Sequence, residues 1–326
     1  MPNDYDKEFV EFTDRRSFLR SGIAAGAGLA AFEFQSRLTA AELRNGVTFS
    51  FGTYGMKSLT TEAAIQAVAD IGYDGIEIAA RADWDAAPMR MSKQRRDDVR
   101  NRLTDSGLQL TALMEHLFPS RDEAEHRAGL ARLRQVAKLG HDLSPDAPPL
   151  IQTVLGGGTW DDQKTMFLDR LSDWAELAAE TETVIAIKPH RGGGMSTPSE
   201  AVWLIRELGN TPWIRMVYDY SHYAFRDMPI AQTVETALPY TAHIAIKDAL
   251  KTENGFRFVL PGESASFDYA DLFRRFYDGG YRSDICCEVS GMVSNQPGYD
   301  PIAAAKTCYA NIAPQFEKAN VPRRRR

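Results

Sequence analysis

Cysteine, histidine and strong charge of either sign are all scarce in this chain. Three cysteines in 326 residues provide no disulfide framework. Two of them, Cys286 and Cys287, are adjacent. Neighbouring strand residues point to opposite faces, so this pair is read neither as a disulfide nor as a shared metal site. A formal net charge of -6 and only six histidines argue against nucleic acid as a partner. The basic block Arg323 to Arg326 is read as part of a solvated basic tail over 319–326. No G-x-G-x-x-G follows the first strand-like run, so a dinucleotide site lacks support. The apolar stretch Ser21 to Phe34 is too short, and too rich in Gly and Ala, to span a bilayer well.

What is present begins with a basic N-terminus. Asp14-Arg15-Arg16-Ser17-Phe18-Leu19-Arg20 precedes that apolar stretch, and Leu38-Thr39-Ala40-Ala41 offers small residues for cleavage. The paired arginines followed by Phe-Leu resemble a twin-arginine export signal. Residues 1–45 are therefore expected to be a signal segment and linker. The export machinery is then a partner and the location exported or periplasmic. Export of an already folded chain also suits the low cysteine count.

From residue 46 onward, apolar strand-like runs alternate with helical stretches. Val47 to Phe51, Gly75 to Ala79, Gln109 to Met114 and Leu150 to Leu155 read as the first four strands. The last four are VIAIKPH (Val184 to His190), IRMVYDYSHY (Ile214 to Tyr223), HIAIKDA (His243 to Ala249) and ICCEVSG (Ile285 to Gly291). Among the helical stretches, Leu59 to Ile71 has Ala, Ile and Val at helical spacing, with Gly72 as its stop. The alternation implies a parallel sheet. Eight units fit an α/β fold, a single (β/α)8 TIM barrel over 46–318, whose usual size is ~250 residues. A doubly wound open sheet is the main rival.

The last four runs each carry a charge at or near their end. Barrel enzymes place catalytic groups at the C-terminal strand ends. By strand parity, Lys188 shares a face with Ala186 and His190, Asp219 with Val217, Lys247 with Ala245 and His243, and Glu288 with Cys286. If those faces point inward, one pocket collects Lys188, His190, Asp219, His222, Lys247 and Glu288. Glu77, Glu115 and His116 join it from strands two and three. His243, deep in its strand, reads as a hydrogen-bonded core residue.

Several phrases in this order resemble the xylose isomerase-like superfamily of sugar and sugar-phosphate isomerases and epimerases. They are Gly72-Tyr73-Asp74-Gly75-Ile76-Glu77, Asp219 with His222, Ile246-Lys247-Asp248, Leu260-Pro261-Gly262-Glu263 and Gly279-Gly280-Tyr281 before Glu288. The resemblance implies one divalent metal held by Glu, Asp, His and Glu from strands five to eight. Two of these positions depart from the pattern, holding Lys188 and Ala245 beside Asp219 and Glu288. Three readings stay open. In the first the site is metal-independent and the Lys188 ammonium takes the cation's place. In the second a Mn, Zn, Mg or Co ion is shifted onto Asp219, Glu288 and His190, aided by His222 or His116. In the third Lys188 forms a Schiff base.

The implied activity is proton abstraction next to a carbonyl on a free or keto-sugar, in an isomerase or epimerase. Glu288 or His222 would be the base, Lys188 the electrophile and Asp219 the anchor. His190, Lys247, Glu77, Glu115, His116 and the stacking ring of Trp160 would bind substrate. A keto-sugar lyase or dehydratase and a non-catalytic carbohydrate-binding barrel are the alternatives. A homo-oligomer is left open.

Overall fold

The computed structural model describes residues 46–324 except Asn254, so the expected signal segment and the last two arginines lie outside the described residues. Eight parallel strands close into a barrel. In chain order the strands are β1 (Thr48–Gly52), β2 (Gly75–Ala79), β3 (Gln109–Met114), β4 (Leu150–Thr153), β5 (Ile185–Ile187), β6 (Ile214–Tyr218), β7 (Thr241–Ile246), β8 (Asp248–Thr252), β9 (Gly255–Val259) and β10 (Asp284–Cys287). The barrel runs β1 to β7 in sequence and closes through β10, which pairs with both β7 and β1. The strands β8 and β9 form an antiparallel hairpin outside the barrel, a feature the sequence reading did not foresee.

The short apolar runs become strands because both of their faces are covered, one by barrel interior and one by helices. Those helices are α1 (Thr61–Ile71), α2 (Lys93–Asp105), α3 (Glu123–Leu143), α4 (Trp160–Glu180), α5 (Pro198–Glu207), α6 (Ile230–Ala237), α7 (Tyr269–Asp278) and α8 (Pro301–Ala319). Their starts are set by side-chain caps such as Thr60, Asp122, Asp268 and Asp300. Gly72 ends α1 with φ near 101°, a left-handed conformation that glycine reaches without strain.

Register arranges the barrel interior in layers. Ala245 lies beside Cys286, and Ala186 beside Gln152. Ala186, Val217 and Ala245 form a small apolar cluster inside the barrel, directly below the strand ends. These short side chains leave room for longer polar ones above them.

The basic tail differs from its expectation. Its first residue, Ala319, completes α8, and Val321 is buried. Arg323 grips Asp74 through two hydrogen bonds of 2.8 Å, with both side chains about 5% exposed or less. It also lies over the Phe49 ring, and its backbone bridges to Val47. The tail is thus latched onto the N-terminal end of the barrel as far as Arg324, whose N–H donates to the Val47 carbonyl. Removing one partner of a buried ion pair costs about 3–5 kcal/mol. Arg323→Ala should lose that amount in urea unfolding, and Arg323→Lys should recover only part, because an ammonium lacks the two-pronged fit. Unchanged unfolding in the alanine variant would mean the latch carries no stability.

Candidate active site

Glu115, Lys188, Asp219, Lys247 and Glu288 are each the first residue after their strand. That common position brings side chains from five separate segments to one level at the C-terminal end of the barrel. Lys247 is at the centre. Its ammonium donates to Asp219 Oδ2 at 2.7 Å and to Glu288 Oε1 at 2.6 Å. The Lys188 ammonium donates to the other Glu288 oxygen and lies 3.7 Å from Asp219 Oδ2. Asp219 also accepts from the Ser221 hydroxyl at 2.6 Å. All four charged side chains are nearly sequestered, with Asp219 fully buried.

Two ammoniums and two carboxylates make a cluster with no net charge. Burial by itself would push the carboxyl groups toward their neutral forms. Against it, Lys247 and His222 hold Asp219 well below the usual carboxylate range, and Lys188 and Lys247 do the same to Glu288. Burial likewise opposes the charged form of Lys247, but Asp219 and Glu288 outweigh it and raise its pKa. Asp219, Glu288 and Lys247 are therefore held in their ionised forms across the neutral range.

The histidines at this level are neutral. Burial, then the Arg81 charge, lowers His116 to about 4. Burial, then His222, lowers His190 to about 3, and burial, then Lys247, lowers His222 to about 4. Tautomers follow from partners. Arg81 is only a donor, so His116 Nδ1 accepts from it at 2.9 Å and Nε2 carries the proton. His190 Nδ1 accepts from the Gly192 N–H at 3.3 Å, which again leaves Nε2–H. His222 Nδ1 faces the Arg191 N–H at 3.5 Å, while its Nε2 points to Asp219 Oδ2 at 3.3 Å.

A cavity of about 310 Å³ opens above the cluster. Lys188, Lys247, Glu288, His190, His116 and Glu115 line it, together with Tyr54, Gln152, Phe258 and Ser290. Glu115 is tied to Arg132 at 2.7 Å, so it braces the wall. Three sequence expectations are corrected. Glu77 is fully buried one layer down, beside Gln152 and 3.2 Å from His243 Nε2, because it lies inside β2 and not at its end. His222 is fully buried beneath the His190 ring, with centroids 4.2 Å apart, and does not line the cavity. Trp160 starts α4 and packs edge-on against Trp203 outside the cavity. The sequence reading missed Gln152 and Phe258. Gln152 lies one residue before the end of β4, and Phe258 arrives on the unforeseen hairpin.

The fold implies a metal at the strand ends, but these residues do not fit one. Lys188 and Ala245 supply no ligand, and the oxygens of Asp219 and Glu288 are occupied by ammoniums. Among the described residues, the set close enough to hold an ion is Glu77, His243 and Cys286, with ligand atoms within 4.8 Å of one another. It lies inside the barrel, below the cavity. There His243 is flanked by Asp284 at 2.9 Å as well as Glu77. Although burial opposes it, Asp284 raises the His243 pKa well above its ordinary value.

Comparison with known proteins gives a consistent picture of the fold. The sequence profile described as xylose isomerase-like TIM barrel matches residues 65–307. No curated protein matches the chain. Among solved structures, the IOLI protein with a bound zinc atom superposes with TM-score 0.69 at 17% identity, covering 83% of this chain and 99% of that one. D-psicose 3-epimerase in the presence of D-fructose gives 0.65 at 16% identity, over 83% and 99%. The apo form of 3-keto-D-glucoside 4-epimerase from E. coli gives 0.63 at 16% identity, over 81% and 98%. At such identity the likeness is one of fold.

The histidine shifts have a definite sign. In the unfolded chain a histidine takes up a proton near pH 6.5. His116, His190 and His222 resist protonation in the fold until about 4, 3 and 4. Each therefore contributes stability above pH 6.5 that is lost as pH falls toward its folded value. Below about pH 5 the depressed carboxylates Asp219 and Glu288 act in the same direction. Unfolding free energy should fall steadily from pH 6.5 to 4. Ring-proton NMR should show these three imidazoles without an inflection between pH 5 and 8. An inflection near 6.5 at His116 or His190 would contradict the neutral pocket.

Proposed function

The chain belongs to the xylose isomerase-like TIM barrel family, and from its site we propose a carbohydrate enzyme of the isomerase or epimerase type. It would move a proton on the carbon next to a carbonyl of a neutral sugar. The observation that carries this reading is the cavity floor, where Glu288 lies between two ammonium groups. Support comes from fold relatives described as 3-keto-D-glucoside 4-epimerase, D-psicose 3-epimerase and L-ribulose 3-epimerase, and from one described as a probable 3-DHS dehydratase. Epimerisation, isomerisation and dehydration next to a carbonyl share this first proton transfer.

In this reading Glu288 takes the proton, and Lys188 and Lys247 stabilise the negative oxygen that develops. Asp219 is the fixed counter-charge that orients Lys247. His116 and His190, both neutral with Nε2 protonated, donate hydrogen bonds to hydroxyl or carbonyl oxygens. His222 orients Asp219. The four-membered ion cluster and the imidazoles that line the cavity carry no net positive charge, which favours uncharged sugars.

The test is exchange of the hydrogen next to the carbonyl in deuterated water, followed by NMR over a panel of ketoses and keto-glycosides. Wild type should label one of them. Glu288→Gln should slow labelling by at least about a hundredfold while still binding the sugar. Prolonged chelation should leave the wild-type rate unchanged. Binding without any exchange would replace this reading with a carbohydrate-binding barrel, and a strong loss on chelation would remove the lysines from the electrophilic role.

We also propose export through a twin-arginine signal, on the strength of Arg15-Arg16 and the apolar stretch after them. Cell fractionation of the full chain should recover it outside the cytoplasm. Replacing both arginines with lysine should retain it inside, and equal distribution of the two forms would dismiss the signal.

A further inference from the structure

The cavity is small for a binding site, at about 310 Å³. It has two ends: Lys188, Lys247 and Glu288 line the polar one, and Phe118, Gly156 and Gly157 line the other. Phe118 lines the cavity yet is 57% exposed, a large apolar ring standing in solvent at the edge of a polar pocket. Its ring continues a row of aromatic faces that leads out of the cavity. Tyr54 is 6.0 Å from His116, and His116 is 6.4 Å from Phe118, with neighbouring rings inclined by only 35° and 31°.

Beside that row the wall is bare backbone at two glycines. Gly156 and Gly157 line the cavity next to Phe118. Gly156 has φ near 88°, and an added Cβ there would come within 3.3 Å of the Phe118 ring. An added Cβ at Gly157 would meet nothing within 4 Å, so this part of the groove is open space. Aromatic rings beside this bare backbone make a slot for a flat ring with apolar faces. Of the arginines near this mouth, Arg191 stacks on Phe256 and Phe225, and Arg81 lies over the Tyr54 ring and donates to His116.

We propose that this groove is an outer subsite for the second sugar ring of a neutral disaccharide, whose first ring occupies the cavity over Glu288. The inference rests on the carbohydrate reading above and narrows the substrate class from free monosaccharides to disaccharides. Phe118 supplies the stacking face, and Gly157 keeps the slot open.

The experiment is calorimetric titration of wild type, Phe118→Ala and Gly157→Val with neutral monosaccharides and the disaccharides built from them. Wild type should bind its best disaccharide at least tenfold more tightly than the matching monosaccharide. Phe118→Ala should erase that advantage, and Gly157→Val, which fills the slot, should erase it too. Monosaccharide affinity should change less than twofold in both variants. A disaccharide advantage that is absent from wild type, or that survives both substitutions, overturns the subsite and leaves the carbohydrate reading intact. Failure of wild type to bind any sugar overturns both.

Discussion

Asp219 and Glu288 face the same ammonium, and the upper half of the barrel is organised by that contact. Two carboxylates so close together cannot both stay ionised in a buried site unless a cation lies between them. The family pattern implies a metal ion for that purpose. Here the cation is Lys247, reaching up from β7 with 2.7 and 2.6 Å contacts to the two acids, and Lys188 adds a second charge on Glu288. A tethered cation differs from an ion in several ways. It is always present and cannot be chelated, but it has no coordination position to open. It also needs space for its stem, which the small residues Ala186 and Ala245 beneath the cluster provide.

One layer below, the same physics gives the opposite result for a histidine. His243 lies between Asp284 and Glu77, and these acids raise its pKa despite complete burial. His116, His190 and His222 are buried among Arg81, Lys188 and Lys247, and their pKa values fall. The barrel thus holds one residue type in two forms: burial keeps the upper imidazoles neutral, and in the lower layer Asp284 and Glu77 outweigh burial at His243. The lower layer is a strut across the barrel, and the upper layer a pocket of neutral donors over a self-neutralised cluster.

Much of this was legible in the sequence because barrel strands obey a simple rule: a charge at the end of a buried run has to face the mouth. Parity placed Lys188, Asp219, Lys247 and Glu288 at one level above Ala186, Val217, Ala245 and Cys286, and the structure has the same layers. The rule fails where a residue is not at a strand end. Glu77 has Ile78 and Ala79 after it in β2, and so falls one layer low. His222 follows Asp219 in a tight 3-10 turn that folds it under His190, which strand parity cannot anticipate. Trp160 belongs to a helix start, not to the mouth. The β8–β9 hairpin was hidden because its first residues, Asp248 and Ala249, were read as the end of the seventh strand-like run. The Arg323 latch was hidden because a terminal arginine run reads as solvated unless its distant partner, Asp74, is known.

A carboxylate pressed to low pKa by two ammoniums looks like a poor base, and the geometry answers that objection. In the proposed reaction, when Glu288 accepts a proton from carbon, its negative charge would not vanish from the site. It would reappear on the carbonyl oxygen of a substrate in the same cavity. Lys188 and Lys247 also line that cavity, so each can release Glu288 and follow the charge across a short distance. The total charge of the site is the same before and after the transfer. In that reaction the favourable interaction that depresses the pKa of Glu288 would therefore be handed to the enolate and not lost. Such an exchange needs two ammoniums. One must keep holding Asp219 while contact with the other is transferred. Lys247 hydrogen-bonds both acids, whereas Lys188 hydrogen-bonds Glu288 and stays 3.7 Å from Asp219, so in the proposed reaction Lys247 would keep Asp219 while Lys188 follows the charge.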